Sequence, residues 1–219
     1  MARNRRQSHV VILGLGRFGQ ALGEELMAGG VEVLGVDASE RRVQQLSDTF
    51  DHIVHADTTM PSVLRQLGVH EAQRVVIAIG ADLESSLLTA SAVVDFGVPS
   101  IWAKADSIAH GKILGQIGCH HVIRPEADTG RRVAHLIGGG VQEYVEFDPD
   151  FAVAKIAPPV SVLGREIAEI NAGAVVRILA VRPRGGAFRP ALPADRLAAG
   201  DLVLAAGPVA EVEAFAARG

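Results

Sequence analysis

The residues with the clearest chemical potential are three glycines, spaced G-x-G-x-x-G in Gly14-Leu15-Gly16-Arg17-Phe18-Gly19. That spacing suits a turn that cups phosphate. Gly14 permits the tight turn, Gly16 lets a phosphate approach the backbone, and Gly19 lets the following helix pack close to the preceding strand. Exposed N–H groups and the helix dipole then hold the anion. Asp37 lies eighteen residues beyond Gly19. An acid there accepts hydrogen bonds from a ribose diol and repels a 2′-phosphate, which disfavours NADP. The plainer alternative is three turn glycines and a helix-capping acid. Arg17, between the second and third glycines, can form paired hydrogen bonds to phosphate oxygens. Its alternative is a solvated cation at a helix start, a place the dipole slightly disfavours.

Other candidates stand where further strands should end. Asp57 and Thr58 either meet an adenine edge or cap a helix beginning near Pro61. Ile79 and Gly80 lie across the same crevice. Lys104 can neutralise phosphate. Glu126, in Arg124-Pro125-Glu126-Ala127-Asp128, either caps a helix starting at Thr129 or offers oxygen to a hard cation that also touches phosphates. The sequence has no G-x-x-x-x-G-K-[ST], no H-E-x-x-H and no C-x-x-C, and its eight histidines show no ligand spacing. Cys119 reads as a small buried hydrophobe.

The elements that must position these residues alternate. Strand-like runs are expected at His9–Gly14, Glu32–Asp37, Ile53–Ala56, Arg74–Ile79, Ser100–Ala103 and His121–Ile123. Helical spacing is expected at Gly19–Gly29, Glu40–Phe50, Pro61–Leu67, Leu83–Phe96, Ile108–Ile117 and Thr129–Ile137. The strands are continuous apolar runs, as when helices cover both faces of a sheet. The expected fold is α/β, a Rossmann-like, doubly wound parallel sheet. After Gly138–Asp148 the rhythm changes to strand (Phe151–Ile156), helix (Val162–Ile170), strand (Ala174–Val181), a Gly185-Gly186 turn, a strand pair ending at Leu202–Ala206, and a short helix (Val209–Ala217). We therefore expect residues 1–140 to form a nucleotide-binding domain and 141–219 a small α+β domain.

Composition excludes several classes. Of 219 residues, 48% are hydrophobic and 21% charged, too apolar a mix for a disordered chain. The longest stretch without Asp, Glu, Lys or Arg is 113–123, well short of a spanning helix at ~18 residues or more. No signal peptide is read at the basic start, MARNRRQ. The segment Arg3–Arg6 reads as a flexible tail or a contact to a partner or headgroups. One cysteine excludes an internal disulfide and points to a reducing compartment. A net charge of −4 argues against general nucleic-acid binding. A dehydrogenase would need a proton-relay residue, and the C-terminal module offers few candidates, so a non-enzyme is expected. An NAD-dependent oxidoreductase is the alternative on the same fold.

Together, VVILGLGRFGQALGEEL, EVLGVDASERRV, HADTT, RVVIAIGADLESSLLT, IWAKADS, KILGQIGCHHVIRPEADTG, SVLGREIAEI and AAGDLVLAAGP resemble the RCK domains, most closely the single-copy regulatory subunits of Ktr/Trk-type potassium systems. The resemblance implies a cytosolic subunit, held at the inner face of the membrane by a potassium channel or transporter. It implies ATP or ADP, sometimes NAD(H), at the glycine loop, and dimers that assemble into an octameric ring whose shape biases the gate. Carried onto this chain, Gly14, Gly16, Arg17, Phe18 and Gly19 surround the phosphates, Asp37 holds ribose, and Asp57 and Thr58 lie by the base. Ile79, Gly80 and Lys104 complete the crevice, and Glu126 binds a divalent cation such as Mg²⁺ or Ca²⁺ beside the γ-phosphate. Some relatives bind cyclic di-AMP in the C-terminal lobe, where Ile167–Arg177 is the segment to search.

Overall fold

The computed structural model describes residues 9–138, 140–148 and 150–217. Arg3–Arg6, Gly139 and Pro149 lie outside the described residues. Contacts divide the chain into a unit ending at Glu126 and a unit beginning at Ala127.

The first unit runs β1 (His9–Leu13), α1 (Arg17–Ala28), β2 (Glu32–Asp37), α2 (Glu40–Leu46), β3 (His52–His55), α3 (Pro61–Gln66), β4 (Arg74–Ile77), α4 (Leu83–Asp95), β5 (Ser100–Lys104), α5 (Ile108–Ile117) and β6 (His121–Ile123). Helix α6 (Pro125–Ile137) follows. The six strands pair in parallel in the order β3-β2-β1-β4-β5-β6. Successive side chains of a strand point to opposite faces, and β1 uses both. Val11 and Leu13 enter one core with Val75, Ile77, Ala90, Val93 and Leu114. Val10 and Ile12 enter a second core with Val33, Val76 and Phe50. This double coverage is why the central strands read as unbroken apolar runs.

Two element boundaries differ from expectation for visible reasons. Helix α2 stops at Leu46, not Phe50, because Phe50 turns inward, only 3% exposed. Its ring sits where a side chain at residue 23 would be: a Cβ on Gly23 would lie 2.4 Å from it. Helix α6 begins at Pro125 instead of Thr129, using proline's preset φ at the first helical position. Glu126 is therefore inside the first turn and does not cap a helix at Thr129. At the other side of the sheet, the single tryptophan, Trp102 in β5, stacks on His121 of β6 with ring centroids 4.0 Å apart.

The second unit holds β7 (Val141–Asp148), β8 (Phe151–Ile156), α7 (Ile167–Asn171), β9 (Arg177–Arg182), β10 (Arg189–Pro190), β11 (Leu202–Gly207) and α8 (Val209–Ala216). Its sheet is antiparallel, in the order β10-β9-β11-β8-β7. Ile156, Ile178, Val203 and Val212 pack in its core. The helix expected over Val162–Ile170 is instead a 3-10 turn (Val160–Val162) followed by α7. Gly164, at φ +75°, breaks the helical path between them. Among the described residues, no helix is long and apolar enough to cross a membrane.

Candidate functional site

The strand order reverses at β1, whose two neighbours are β2 and β4. Connections from the two neighbours leave in opposite directions there, which opens a crevice at the carboxyl ends of the strands. The crevice has a volume of about 720 Å³. Gly14, Gly16, Arg17 and Phe18 form its floor and helix-side wall, Asp37 lies at the end of β2, and Asp57 and Thr58 follow β3. Ile79 and Gly80 follow β4, Lys104 ends β5, and Glu126 opens α6. Eleven of the twelve residues singled out by sequence thus share one cavity wall. Gly19 is the exception: it is buried beneath the loop, and a Cβ there would lie 2.0 Å from the Gly14 carbonyl oxygen.

The loop is shaped for an anion. Gly14 adopts φ +97°, open only to glycine without strain. Gly16 caps α1 with extended backbone and no side-chain cap, and a Cβ added to it would meet nothing within 4 Å. The first turn of α1 contains no acidic side chain, so its N–H groups and its dipole face the crevice uncompensated. Arg17 is exposed and, among the described residues, forms no ion pair. Arg17 thus adds a second positive group beside the positive end of α1.

The acids of the site are less free than the sequence suggests. Asp37, 4% exposed, accepts hydrogen bonds from the backbone N–H of Leu15 (2.6 Å) and Ser39 (2.8 Å) and pairs with Arg42 at 2.7 Å. Asp57 does not cap α3, whose N-cap is Met60. It folds back onto Thr59, accepting its hydroxyl at 2.7 Å and its N–H at 2.9 Å. Those bonds hold the Asp57 carboxyl below its usual range. Thr58 is buried, its hydroxyl 3.0 Å from that of Thr89 on α4. The Thr89 hydroxyl also donates to the Thr58 carbonyl oxygen at 3.1 Å, so Thr58 is tied to α4 through both its side chain and its backbone.

Lys104 sits between two acids, with Nζ 2.9 Å from Glu126 and 3.2 Å from Asp106. Burial works against its ammonium, but the hydrogen bonds to Glu126 and Asp106 outweigh that and push its pKa up. The same bond from Lys104 holds Glu126 below the ordinary carboxylate range. Asp106, Arg42 and Ser39 are contributors that sequence reasoning missed. Asp106 was legible only as part of IWAKADS, two residues past Lys104. Its carboxylate lies over Gly80, where a Cβ would approach within 2.5 Å.

Beneath Asp106 is a buried polar contact. Its backbone N–H donates to His110 Nδ1 at 3.3 Å, which places the ring proton on Nε2, 3.1 Å from Ser86 Oγ. Burial lowers the His110 pKa, against a smaller upward pull from Asp106. The unfolded chain takes up this proton near pH 6.5, whereas the folded protein resists it to lower pH. As pH falls through that window the unfolded state binds more protons, so stability falls. The melting temperature is expected to drop from pH 7.5 to 5.5, and the drop should be smaller in His110→Asn, a less stable protein at pH 7.5. An equally steep drop in the variant, measured by circular dichroism melts, would place the titration elsewhere. Cys119 is 8% exposed, and burial pushes its thiol up to about 11, as befits a packing residue.

Comparison with known proteins gives the site a context. Residues 10–125 match the family model described as the TrkA-N domain. The chain is 30% identical over 200 residues to Ktr system potassium uptake protein A of Vibrio alginolyticus, covering 90% of this chain and 91% of that one. It is 29% identical over 210 residues to Ktr system potassium uptake protein C of Bacillus subtilis, covering 94% and 95%. Among solved structures, the GsuK channel bound to NAD aligns with a TM-score of 0.68 at 17% identity, over 98% of this chain and 40% of that one. That likeness shows the fold.

Proposed function

This chain belongs to the TrkA-N domain family and is similar over most of its length to proteins of Ktr potassium uptake systems, and from that premise we propose that it is a nucleotide-sensing regulatory subunit. Its ligand is ATP or ADP, bound in the crevice of the first unit. Exchange of one for the other changes the conformation of a homo-oligomeric ring assembled from dimers, and the ring biases a membrane potassium channel or transporter. The subunit works at the cytoplasmic face of the membrane, held there by that partner. The observation that carries the reading is Arg17, a guanidinium on a glycine loop at a helix N-terminus that forms no ion pair among the described residues. A nucleotide shifts the ring only by its difference in affinity for two shapes. No bond of the nucleotide need break.

Within this reading the glycine-loop amides and Arg17 hold phosphates, and Asp37 receives the ribose. Glu126 serves a divalent cation at the terminal phosphate. Among the described residues no three His, Cys, Asp or Glu side chains converge as a metal cage. Such a cation would therefore complete its shell with phosphate oxygens and water, and would compete with the Lys104 ammonium for Glu126. An oxidoreductase reading has the same fold in its favour, but among the described residues the crevice lining includes no histidine or tyrosine to relay a proton.

Calorimetry with Arg17→Ala tests the proposal. A charge-assisted hydrogen bond contributes about 1.5–3 kcal/mol, so ATP affinity should fall by about tenfold or more and ADP affinity by clearly less. Equal losses for both ligands would remove Arg17 as a reader of the terminal phosphate. Hydride turnover with NADH would shift the assignment to the oxidoreductase.

A further inference from the structure

The ribose end of the crevice already has an occupant. Asp37 Oδ1 accepts the Ser39 N–H at 2.8 Å and lies 2.7 Å from Arg42 Nη1. Asp37 Oδ2 accepts the Leu15 N–H at 2.6 Å and lies 2.7 Å from the same Nη1. A carboxylate has about four lone-pair positions, and here three protein donors engage both oxygens. The Leu15 and Ser39 donors are backbone, fixed by the turns after β1 and β2. Arg42 differs: it reaches Asp37 from α2 on a long side chain that is 44% exposed, and it also lines the crevice. Of the three donors, only Arg42 can leave without unmaking the fold.

We propose that Arg42 is an intramolecular competitor for the ribose subsite, so that the sugar hydroxyls reach Asp37 only when its guanidinium swings away. The inference rests on the nucleotide reading above and adds a specificity-determining residue to it. Exchanging an ion pair for hydroxyl hydrogen bonds leaves little net gain. The protein should therefore hardly distinguish a ribose from a 2′-deoxyribose, although it carries the acid that normally reads the difference.

The test is calorimetry of ADP and 2′-deoxy-ADP on the full chain, with and without Arg42→Ala. A second variant, Arg42→Met, retains the aliphatic packing of the stem. The wild-type protein should bind the two ligands within about twofold of each other. Both variants should bind ADP about two- to fivefold more tightly, the equivalent of a half-exposed ion pair, and gain less with 2′-deoxy-ADP, which brings only its 3′-hydroxyl. The ratio of the two affinities is the readout, since general loosening of the loop moves both ligands together. An unchanged ratio, or weaker ADP binding in both variants, overturns the competition while leaving the nucleotide site intact. Failure of the wild-type protein to bind either ligand overturns the nucleotide reading itself, and the competitor role with it.

Discussion

Gly19→Ala is expected to abolish measurable nucleotide binding and to cost about 1–3 kcal/mol of stability, the range for an overpacked interior. The added methyl would lie 2.0 Å from the Gly14 carbonyl oxygen and 3.2 Å from the Ala78 Cβ. The nearest atom is backbone, so no flexible side chain can move aside. Either α1 lifts from the sheet or the Gly14 peptide turns. Gly14 N–H donates to Val36 at 2.8 Å, and the next peptide's N–H, that of Leu15, is tied to Asp37. Both moves therefore distort the surface meant for phosphate. Thermal denaturation with and without ATP checks both parts: the variant should melt lower, and ATP should no longer raise its melting temperature. A normal ATP-dependent shift would mean that the loop tolerates the methyl and that close helix approach is not what forms the site.

Asp37→Ala should have a comparably large effect. It leaves the buried Leu15 N–H without an acceptor, which costs about 1–3 kcal/mol by itself. It also removes the partners of Ser39 N–H and Arg42. Adenosine nucleotides should bind at least about tenfold more weakly, chiefly because the anchor of the phosphate turn is lost. Asp37→Asn separates the two roles. Its amide keeps one acceptor oxygen, so it should recover part of the stability in chemical denaturation and little of the nucleotide affinity. Equal recovery of both would show that the charge has no part in ligand binding.

The parallel sheet was legible because its signals are local. The apolar runs at β1, β2 and β4 are bounded by Gly14, by the Gly29-Gly30 pair and by Gly80, and the period needed no knowledge of distant contacts. The crevice followed from topology, since residues at the carboxyl ends of such strands converge wherever the order reverses. What sequence reading missed depends on tertiary contacts. Nothing local shows that Phe50 must leave α2 to fill the space over Gly23. The expected boundary region before Asp148 is mostly strand β7, whose Val-Gln-Glu-Tyr-Val-Glu-Phe alternates imperfectly and pairs with β8 through two register shifts. Nothing local singles out Arg42 on α2. Only the folded chain brings it to Asp37, five residues earlier.

The Trp102–His121 stack gives the protein an optical property. The emission of a lone indole responds to the groups packed against it, and Trp102 stands two residues before Lys104 in the same strand. The native chain thus carries an unlabelled fluorophore next to the Lys104–Glu126 ion pair. Its intensity can follow rearrangement of that corner on the millisecond scale, in stopped flow, with no dye attached.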